Sequence, residues 1–241
     1  AFTGSTAVGR HVGEVAGRNL LHPTLELGGK NPLVIMRDAD LDNAVHGAIF
    51  SAFATGGQRC TSAGNVIIDA PIYDEFKTRY LEKVRELEIG NPNQTEHVMY
   101  GPFINQRFYE RWMEHYAWGE EDGATLLYGE GRITQDNAPA GWTGDPDAAY
   151  YGWPTVWADV TPDMRQFQEE VFGPTINLVK VDGIDEAIET ANAVSYGLSS
   201  AIYTNNRDWA YQFKTRIEAG MTSINNTTNG AEAHMPFGGT K

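Results

Sequence analysis

Apolar and polar positions follow two periods along the chain, and they predict strands alternating with helices. Short apolar runs typical of buried strands occupy residues 33–36, 65–68, 155–160, 175–181, 198–203 and 221–224. Helical spacing appears between them, as at residues 71–87, where Ile72, Phe76, Tyr80 and Val84 would share one face. This alternation predicts an α/β fold built on a mostly parallel sheet flanked by helices.

Residues 41–54 read as a helix that is apolar on most sides and therefore buried. Gly56 and Gly57 end this helix shortly before Cys60, the only cysteine in 241 residues. A single cysteine forms no internal disulfide, so Cys60 is either a small buried apolar residue or a nucleophile. Arg59 would place a positive charge beside the sulfur, which favours the thiolate.

The first ten residues predict a strand end that turns into a helix, with Gly4, Ser5 and Thr6 at the turn. Free backbone N–H groups and the helix dipole at such a turn suit a phosphate group. Helix capping by Ser5 or Thr6 is the other interpretation of the same residues.

Glu26 lies between Leu25 and Leu27 and precedes Gly28 and Gly29. Two apolar neighbours would partly desolvate the carboxylate, which suits a general base. The alternative is a solvated carboxylate at a strand edge.

The segment 129–154 is rich in glycine, proline, aspartate and aromatic residues, and it shows no clear period. We expect it to be a long excursion at the surface and not a linker between domains, because its aromatic side chains need a surface to pack on.

The chain has 32 acidic and 18 basic residues and a formal charge of −14, which disfavours binding to nucleic acid or to anionic membranes. Its apolar runs are shorter than a membrane span, and we expect neither a membrane segment nor a signal peptide. The lone cysteine favours a reducing compartment, so we expect a cytoplasmic protein. The six histidines show no metal-ligand spacing, and we expect no metal site.

Five segments in order resemble motifs of one enzyme superfamily. They are Phe2-Thr3-Gly4-Ser5-Thr6, Glu26-Leu27-Gly28-Gly29-Lys30-Asn31-Pro32, Gly57-Gln58-Arg59-Cys60, Glu169-Glu170-Val171-Phe172-Gly173-Pro174 and Pro236-Phe237-Gly238-Gly239-Thr240-Lys241. Together they resemble the C-terminal catalytic portion of the NAD(P)-dependent aldehyde dehydrogenase superfamily. The resemblance implies a catalytic domain at residues 29–241 and, at residues 1–28, a remnant of the Rossmann-like cofactor domain.

The resemblance implies that Cys60 attacks an aldehyde to give a thiohemiacetal and then a thioester. It also implies that Glu26 activates the water that hydrolyses this thioester to a carboxylic acid. Two alternatives are a CoA-acylating semialdehyde dehydrogenase, which commonly lacks this glutamate, and a non-catalytic structural homologue.

The same resemblance implies binding roles for other residues. The cofactor-binding residues would be Gly4, Ser5, Val8, Leu27, Gly28, Glu170 and Phe172. The substrate pocket would include Arg59, Thr61 and Phe237. The implied cofactor is NAD, with NADP as the alternative, and the implied partners are a small aldehyde and further copies of the protein in a homodimer or homotetramer.

Relative to this superfamily, the chain begins at the phosphate-turn helix and stops at Lys241. We therefore expect the 241 residues alone to bind NAD poorly and to turn over slowly or not at all.

Overall fold

The computed structural model describes residues 1–94, 97–140, 142 and 144–241. Its strands are β1 (Phe2–Thr3), β2 (Leu25–Glu26), β3 (Asn31–Ile35), β4 (Ala63–Asp69), β5 (Thr125–Tyr128), β6 (Arg132–Ile133), β7 (Tyr151–Gly152), β8 (Thr155–Ala158), β9 (Thr175–Val181), β10 (Ser199–Tyr203) and β11 (Met221–Ile224). Its α-helices are α1 (Thr6–Arg18), α2 (Leu41–Phe53), α3 (Tyr73–Arg85), α4 (Gln106–Glu121), α5 (Arg165–Gln168), α6 (Gly183–Asn192) and α7 (Arg207–Arg216).

Seven strands form the main sheet in the order β11-β10-β3-β4-β9-β8-β5. Every neighbouring pair is parallel except β5 with β8, which is antiparallel. The sheet is therefore mixed, and the α/β fold predicted from the alternation of periods is confirmed. The helix predicted at 71–87 begins later, at Tyr73, because Pro71 lies in a 3₁₀ turn.

Both faces of the main sheet are covered, as the continuous apolar runs of its central strands require. Leu33 and Ile35 of β3 belong to a buried cluster that also contains residues of α2 and α3. Val34 lies in a second buried cluster with residues of α6 and α7. Because successive side chains of a strand point to opposite faces, β3 contributes to both cores of a three-layer structure.

The strands β1 and β2 form a separate two-stranded parallel sheet, in which Thr3 pairs with Glu26. The helix α1 connects them and begins at the N-cap Ser5, whose side chain accepts a hydrogen bond from the Val8 N–H. The predicted strand-to-helix turn is therefore present, and this small sheet places the start of α1 beside Glu26.

The segment 129–154 is not wholly a surface excursion, which corrects the expectation from its composition. Its strands β6 and β7 pair antiparallel, and Ile133 and Tyr151 are buried in the cluster that contains α2 and α3. Gly141 and Thr143 of this segment lie outside the described residues. Across the described ranges, no helix has the length and apolarity needed to cross a membrane.

Candidate active site

A tight turn brings Cys60 from the end of α2 to the start of β4. After Phe53 the chain forms a short 3₁₀ segment in which Gly56 and Gly57 have φ values of 63° and 66°. A Cβ atom on Gly57 would lie 2.1 Å from the carbonyl oxygen of Gly173. Glycine is therefore required at position 57, both for its left-handed backbone and for this close approach.

Two buried side chains from other elements hold the backbone of the cysteine loop, which we define as residues 60–62. Asn31 Nδ2 donates to the carbonyl oxygens of Cys60 at 2.8 Å and Ser62 at 2.7 Å. Thr228 Oγ1 donates to the carbonyl oxygen of Thr61 at 2.8 Å. Asn31 and Thr228 are each 1% exposed, so these hydrogen bonds are shielded from water.

One cavity of about 540 Å³ joins the half-buried Cys60 to most of the other residues predicted for the site. It is lined by Thr3, Gly4, Ser5, Glu26, Leu27, Gly28, Gln58, Arg59, Cys60, Thr61, Arg107, Phe108, Arg111, Glu170 and Phe172. Its volume lies in the range of small-molecule sites. The residues come from five separate parts of the chain, so the fold and not local sequence assembles the site.

Glu26 lies on the two-residue strand β2, and its side chain is half-buried as the neighbouring leucines predicted. Its Oε2 atom is buried and has no hydrogen-bond partner among the described residues. A buried carboxylate oxygen without a partner is costly unless a ligand or solvent contacts it. Glu26 is therefore available to bind water or to accept a proton inside the cavity.

Glu170 is fixed against the loop that follows β2. Its Oε1 accepts a hydrogen bond from the Gly29 N–H at 3.0 Å. A Cβ atom on Gly28 would lie 2.2 Å from Glu170 Oε2, so only glycine allows the carboxylate to approach this closely. Burial raises the pKa of Glu170, and the Gly29 N–H, Arg111 and Lys30 partly oppose that rise.

The charges around Cys60 differ from the sequence-based expectation. Burial raises the pKa of the Cys60 thiol, and the negative charge of Glu170 and then that of Glu26 raise it further. The backbone N–H groups of Cys60 and Thr61 act in the opposite direction. The expectation that Arg59 sets a thiolate-favouring field is therefore wrong, because two carboxylates and burial outweigh any cation near this sulfur.

Lys30 is a buried cation close to the site, with 2% exposure. Burial lowers its pKa to about 7, although the charges of Glu170 and Glu169 act to raise it. Its side chain lies against Gly64, where a Cβ atom would come within 2.4 Å of Lys30 Cδ. The cost of burying the charge therefore affects the pKa of Lys30 more than its attraction to the neighbouring carboxylates does.

Two predicted site residues do not line this cavity. Val8 is 48% exposed on α1, one turn beyond the cavity-lining Ser5. The resemblance implied that Phe237 lies at the substrate end of the pocket. In the structure Phe237 is 44% exposed and does not line this cavity.

Sequence reasoning missed three cavity residues at the start of α4, namely Arg107, Phe108 and Arg111. Phe108 packs against Phe172, with ring centroids 5.6 Å apart, and Phe172 has a left-handed backbone with φ of 53°. The spacing of 107, 108 and 111 on one helical face was the available signal, but it does not differ from that of a solvated amphipathic helix.

Comparison with known proteins identifies the family. The model of the aldehyde dehydrogenase family matches residues 1–241. The alpha-ketoglutaric semialdehyde dehydrogenase of Bacillus subtilis is 37% identical over 240 residues, and aldehyde dehydrogenase 1A1 of Bos taurus is 40% identical over 242 residues. Each match covers 100% of this chain but only 47% and 46% of the two relatives, so the chain spans about half of their length.

Solved structures agree with the sequence comparisons. An NAD-dependent aldehyde dehydrogenase from Sinorhizobium meliloti superposes with a TM-score of 0.91 at 35% identity, covering 100% of this chain and 45% of that one. A betaine aldehyde dehydrogenase from Staphylococcus aureus in complex with NAD+ gives a TM-score of 0.92 at 29% identity, covering 100% and 46%. This chain therefore belongs to the aldehyde dehydrogenase family.

Proposed function

We propose that this chain supplies the nucleophile and the general base for NAD-dependent oxidation of an aldehyde to a carboxylic acid. The observation that carries the proposal is that Cys60 and Glu26 line one cavity together with Glu170 and the start of α1. In this proposal residues 29–241 are the catalytic domain and residues 1–28 belong to the cofactor-binding domain. The separation of the β1-β2 sheet from the seven-stranded sheet supports that division.

Cys60 begins the reaction by attacking the aldehyde carbonyl carbon. The new C–S bond gives a thiohemiacetal, and the former carbonyl oxygen takes up negative charge. The backbone N–H of Cys60 is a suitable donor for this oxygen. Because burial and two carboxylates raise the pKa of the thiol, attack becomes faster as pH rises through the thiol pKa.

The residues that line the cavity fit a dinucleotide such as NAD. Gly4 and Ser5 precede the first turn of α1, where the helix dipole and the N–H groups of the helix start favour the pyrophosphate, although the Gly4 N–H itself donates to the Glu26 carbonyl oxygen. Glu170 Oε2 takes no part in the hydrogen bond to Gly29, so it is suitable as an acceptor for a ribose hydroxyl. Leu27 and Phe172 contribute apolar walls to the cavity. Bound NAD+ supplies the acceptor for the hydride that leaves the thiohemiacetal.

Glu26 completes the reaction by hydrolysing the thioester. Its carboxylate accepts a proton from a water molecule, and the water oxygen forms a bond to the thioester carbon. The C–S bond then breaks, the carboxylic acid leaves and Cys60 is restored. The buried Oε2 without a protein partner supports this role, because a base needs a free lone pair facing the reacting water.

The identity of the aldehyde depends on residues other than Cys60 and Glu26. Arg59 and Thr61 flank the nucleophile and line the cavity, and we propose that they contact the substrate. Phe237 stays a proposal for the same pocket, and the next residue supports it, because a Cβ atom on Gly238 would lie 3.8 Å from Glu26 Oε1. The relatives act on α-ketoglutaric semialdehyde or, in the Corynebacterium glutamicum relative, vanillin, so the family does not select one substrate class.

The test is NADH formation by the full-length gene product with a panel of aliphatic, aromatic and acidic aldehydes, measured with and without CoA. We expect turnover with at least one aldehyde, release of the free acid, no dependence on CoA and no turnover by the Cys60→Ala variant. A rate that requires CoA would favour the acylating alternative. The proposal would be contradicted if Cys60→Ala kept the wild-type rate, or if the wild-type protein formed no NADH with any aldehyde.

A further inference from the structure

Three consecutive carbonyl groups of the cysteine loop accept hydrogen bonds from buried side chains. Asn31 binds the carbonyls of Cys60 and Ser62, whereas Thr228 binds the carbonyl of Thr61 between them. Backbone carbonyls in a loop are more commonly satisfied by water or by neighbouring backbone. This degree of anchoring therefore indicates that the orientation of the loop peptides has a function.

Asn31 itself has a single possible orientation. Its Oδ1 accepts a hydrogen bond from the backbone N–H of Ser199 at 2.9 Å, so its Nδ2 must face the cysteine loop. The two hydrogens of Nδ2 are then used by the two loop carbonyls. Gly29, two residues before Asn31, also lies against the loop, because a Cβ atom on Gly29 would be 2.3 Å from the Cys60 carbonyl oxygen.

Peptide geometry transmits this anchoring to the reactive sulfur. The carbonyl of Cys60 and the N–H of Thr61 belong to one planar trans peptide, so they point in opposite directions. Asn31 holds the carbonyl on the β3 side, and the Thr61 N–H consequently faces the other side. That N–H is one of the two backbone groups that lower the pKa of the Cys60 thiol.

We propose that Asn31 is a positioning residue that aims the Thr61 N–H at the Cys60 sulfur. The inference rests on the proposed role of Cys60 as the nucleophile. A fixed N–H dipole stabilises the thiolate without reorganisation during the reaction, and it offsets part of the penalty from burial and from Glu170. Thr228 anchors the following peptide, whose N–H belongs to Ser62 and donates to the Arg59 carbonyl at 3.1 Å.

The charged side chains near the thiol act separately from the Thr61 N–H dipole. Glu170 and Glu26 both disfavour the thiolate, and Arg59, Arg107 and Arg111 line the same cavity. None of these five side chains changes in the test below. A difference between variants therefore reports the backbone dipole and not a changed set of charges.

The test is the pH dependence of Cys60 alkylation by iodoacetamide in the full chain. Because Cys60 is the only cysteine, the reaction reports this thiol alone. We expect Asn31→Ser to slow alkylation at neutral pH by up to about tenfold and to raise the apparent thiol pKa by up to about one unit. Thr228→Val removes only the hydrogen bond to the Thr61 carbonyl. We expect it to change the alkylation rate at neutral pH by less than about twofold and the apparent thiol pKa by well under one unit.

Asn65→Ser is the matched control. Asn65 is also 1% exposed and also donates to a backbone carbonyl, that of Phe167 at 3.2 Å, but it does not bind the cysteine loop. We expect it to lose comparable stability and to keep the wild-type alkylation profile. Identical profiles for Asn31→Ser and Asn65→Ser would overturn the inference.

A measurement on the unaltered chain covers the case in which Asn31→Ser fails to fold. The Thr61 amide resonance, followed by NMR with ¹⁵N-threonine, should shift with the same midpoint as thiol alkylation. A Thr61 resonance that does not respond to ionisation of Cys60 would overturn the inference. Neither readout needs turnover, so loss of the proposed aldehyde oxidation would leave this result standing on its own.

Discussion

The nucleophile and the base of this cavity are held in opposite ways. The cysteine loop accepts three hydrogen bonds from buried side chains of Asn31 and Thr228, and its entry turn requires Gly57. Glu26 sits on a two-residue strand of a separate small sheet, and its buried Oε2 has no partner among the described residues.

This difference follows from what each group must do. A nucleophile needs a fixed direction of attack and fixed dipoles around the developing charge, so its backbone is anchored. A general base needs a free lone pair toward water, and a strong protein donor on that oxygen would lower its basicity. The predictions that follow separate these two designs, from the largest expected effect to the smallest.

The largest effect is expected for Glu26→Gln, which keeps the shape of the side chain but removes the base. Steady-state turnover should fall by about 10²–10⁴, the usual contribution of general base catalysis. A first-turnover burst of NADH should remain, because the attack by Cys60 does not use Glu26. Stopped-flow absorbance measures both phases, and loss of the burst together with turnover would show that Glu26 also supports the nucleophile.

A second effect concerns Lys30, the buried amine behind the site. Its pKa of about 7 in the folded protein lies far below its value in the unfolded chain, so the unfolded state binds more protons between about pH 7 and 10.5. The penalty for burying the charge is full below about pH 7 and is lost as pH rises to about 10.5.

Lys30→Met should therefore stabilise the fold by about 1–4 kcal/mol at neutral pH. The gain should shrink as pH rises, which urea unfolding at several pH values measures. A gain that is constant with pH would show that Lys30 does not titrate in this range.

A third, smaller effect is expected for Glu170→Gln. Removing this carboxylate charge should lower the pKa of Cys60 and speed iodoacetamide alkylation at neutral pH by up to about tenfold, or one pKa unit. Turnover should fall at the same time, because Glu170 is proposed to hold the cofactor ribose. Unchanged alkylation would mean that burial alone, without Glu170, sets the reactivity of the thiol.

Strong periodic patterns made much of the fold predictable from the sequence. The strand predicted at residues 175–181 and the one at 221–224 match β9 and β11, because short apolar runs between turn signals leave few alternatives. The excursion at 129–154 was less predictable, because the burial of Ile133 and Tyr151 depends on contacts with distant helices.

Cys60 and Glu26 stood out in the sequence because cysteine occurs once and glycines lie near both residues, whereas Glu170 was implied only by the family resemblance. The structure brings all three to one cavity. The electrostatics of the site could not be predicted, because the pKa of Cys60 depends on its burial and on Glu170, which is 110 positions away along the chain. Arg59 is adjacent to Cys60 in sequence, but this adjacency did not predict the direction of the pKa shift of the thiol. The face of α4 with Arg107 and Arg111 became part of the site only through tertiary packing.

The most direct test of the central claim is the intact mass of Glu26→Gln full-length protein after exposure to a substrate aldehyde and NAD+. If Cys60 forms the thioester and Glu26 drives its hydrolysis, the variant should accumulate one acyl group per chain, and peptide mapping should place it on Cys60. NADH formation with Cys60 unmodified would contradict the account.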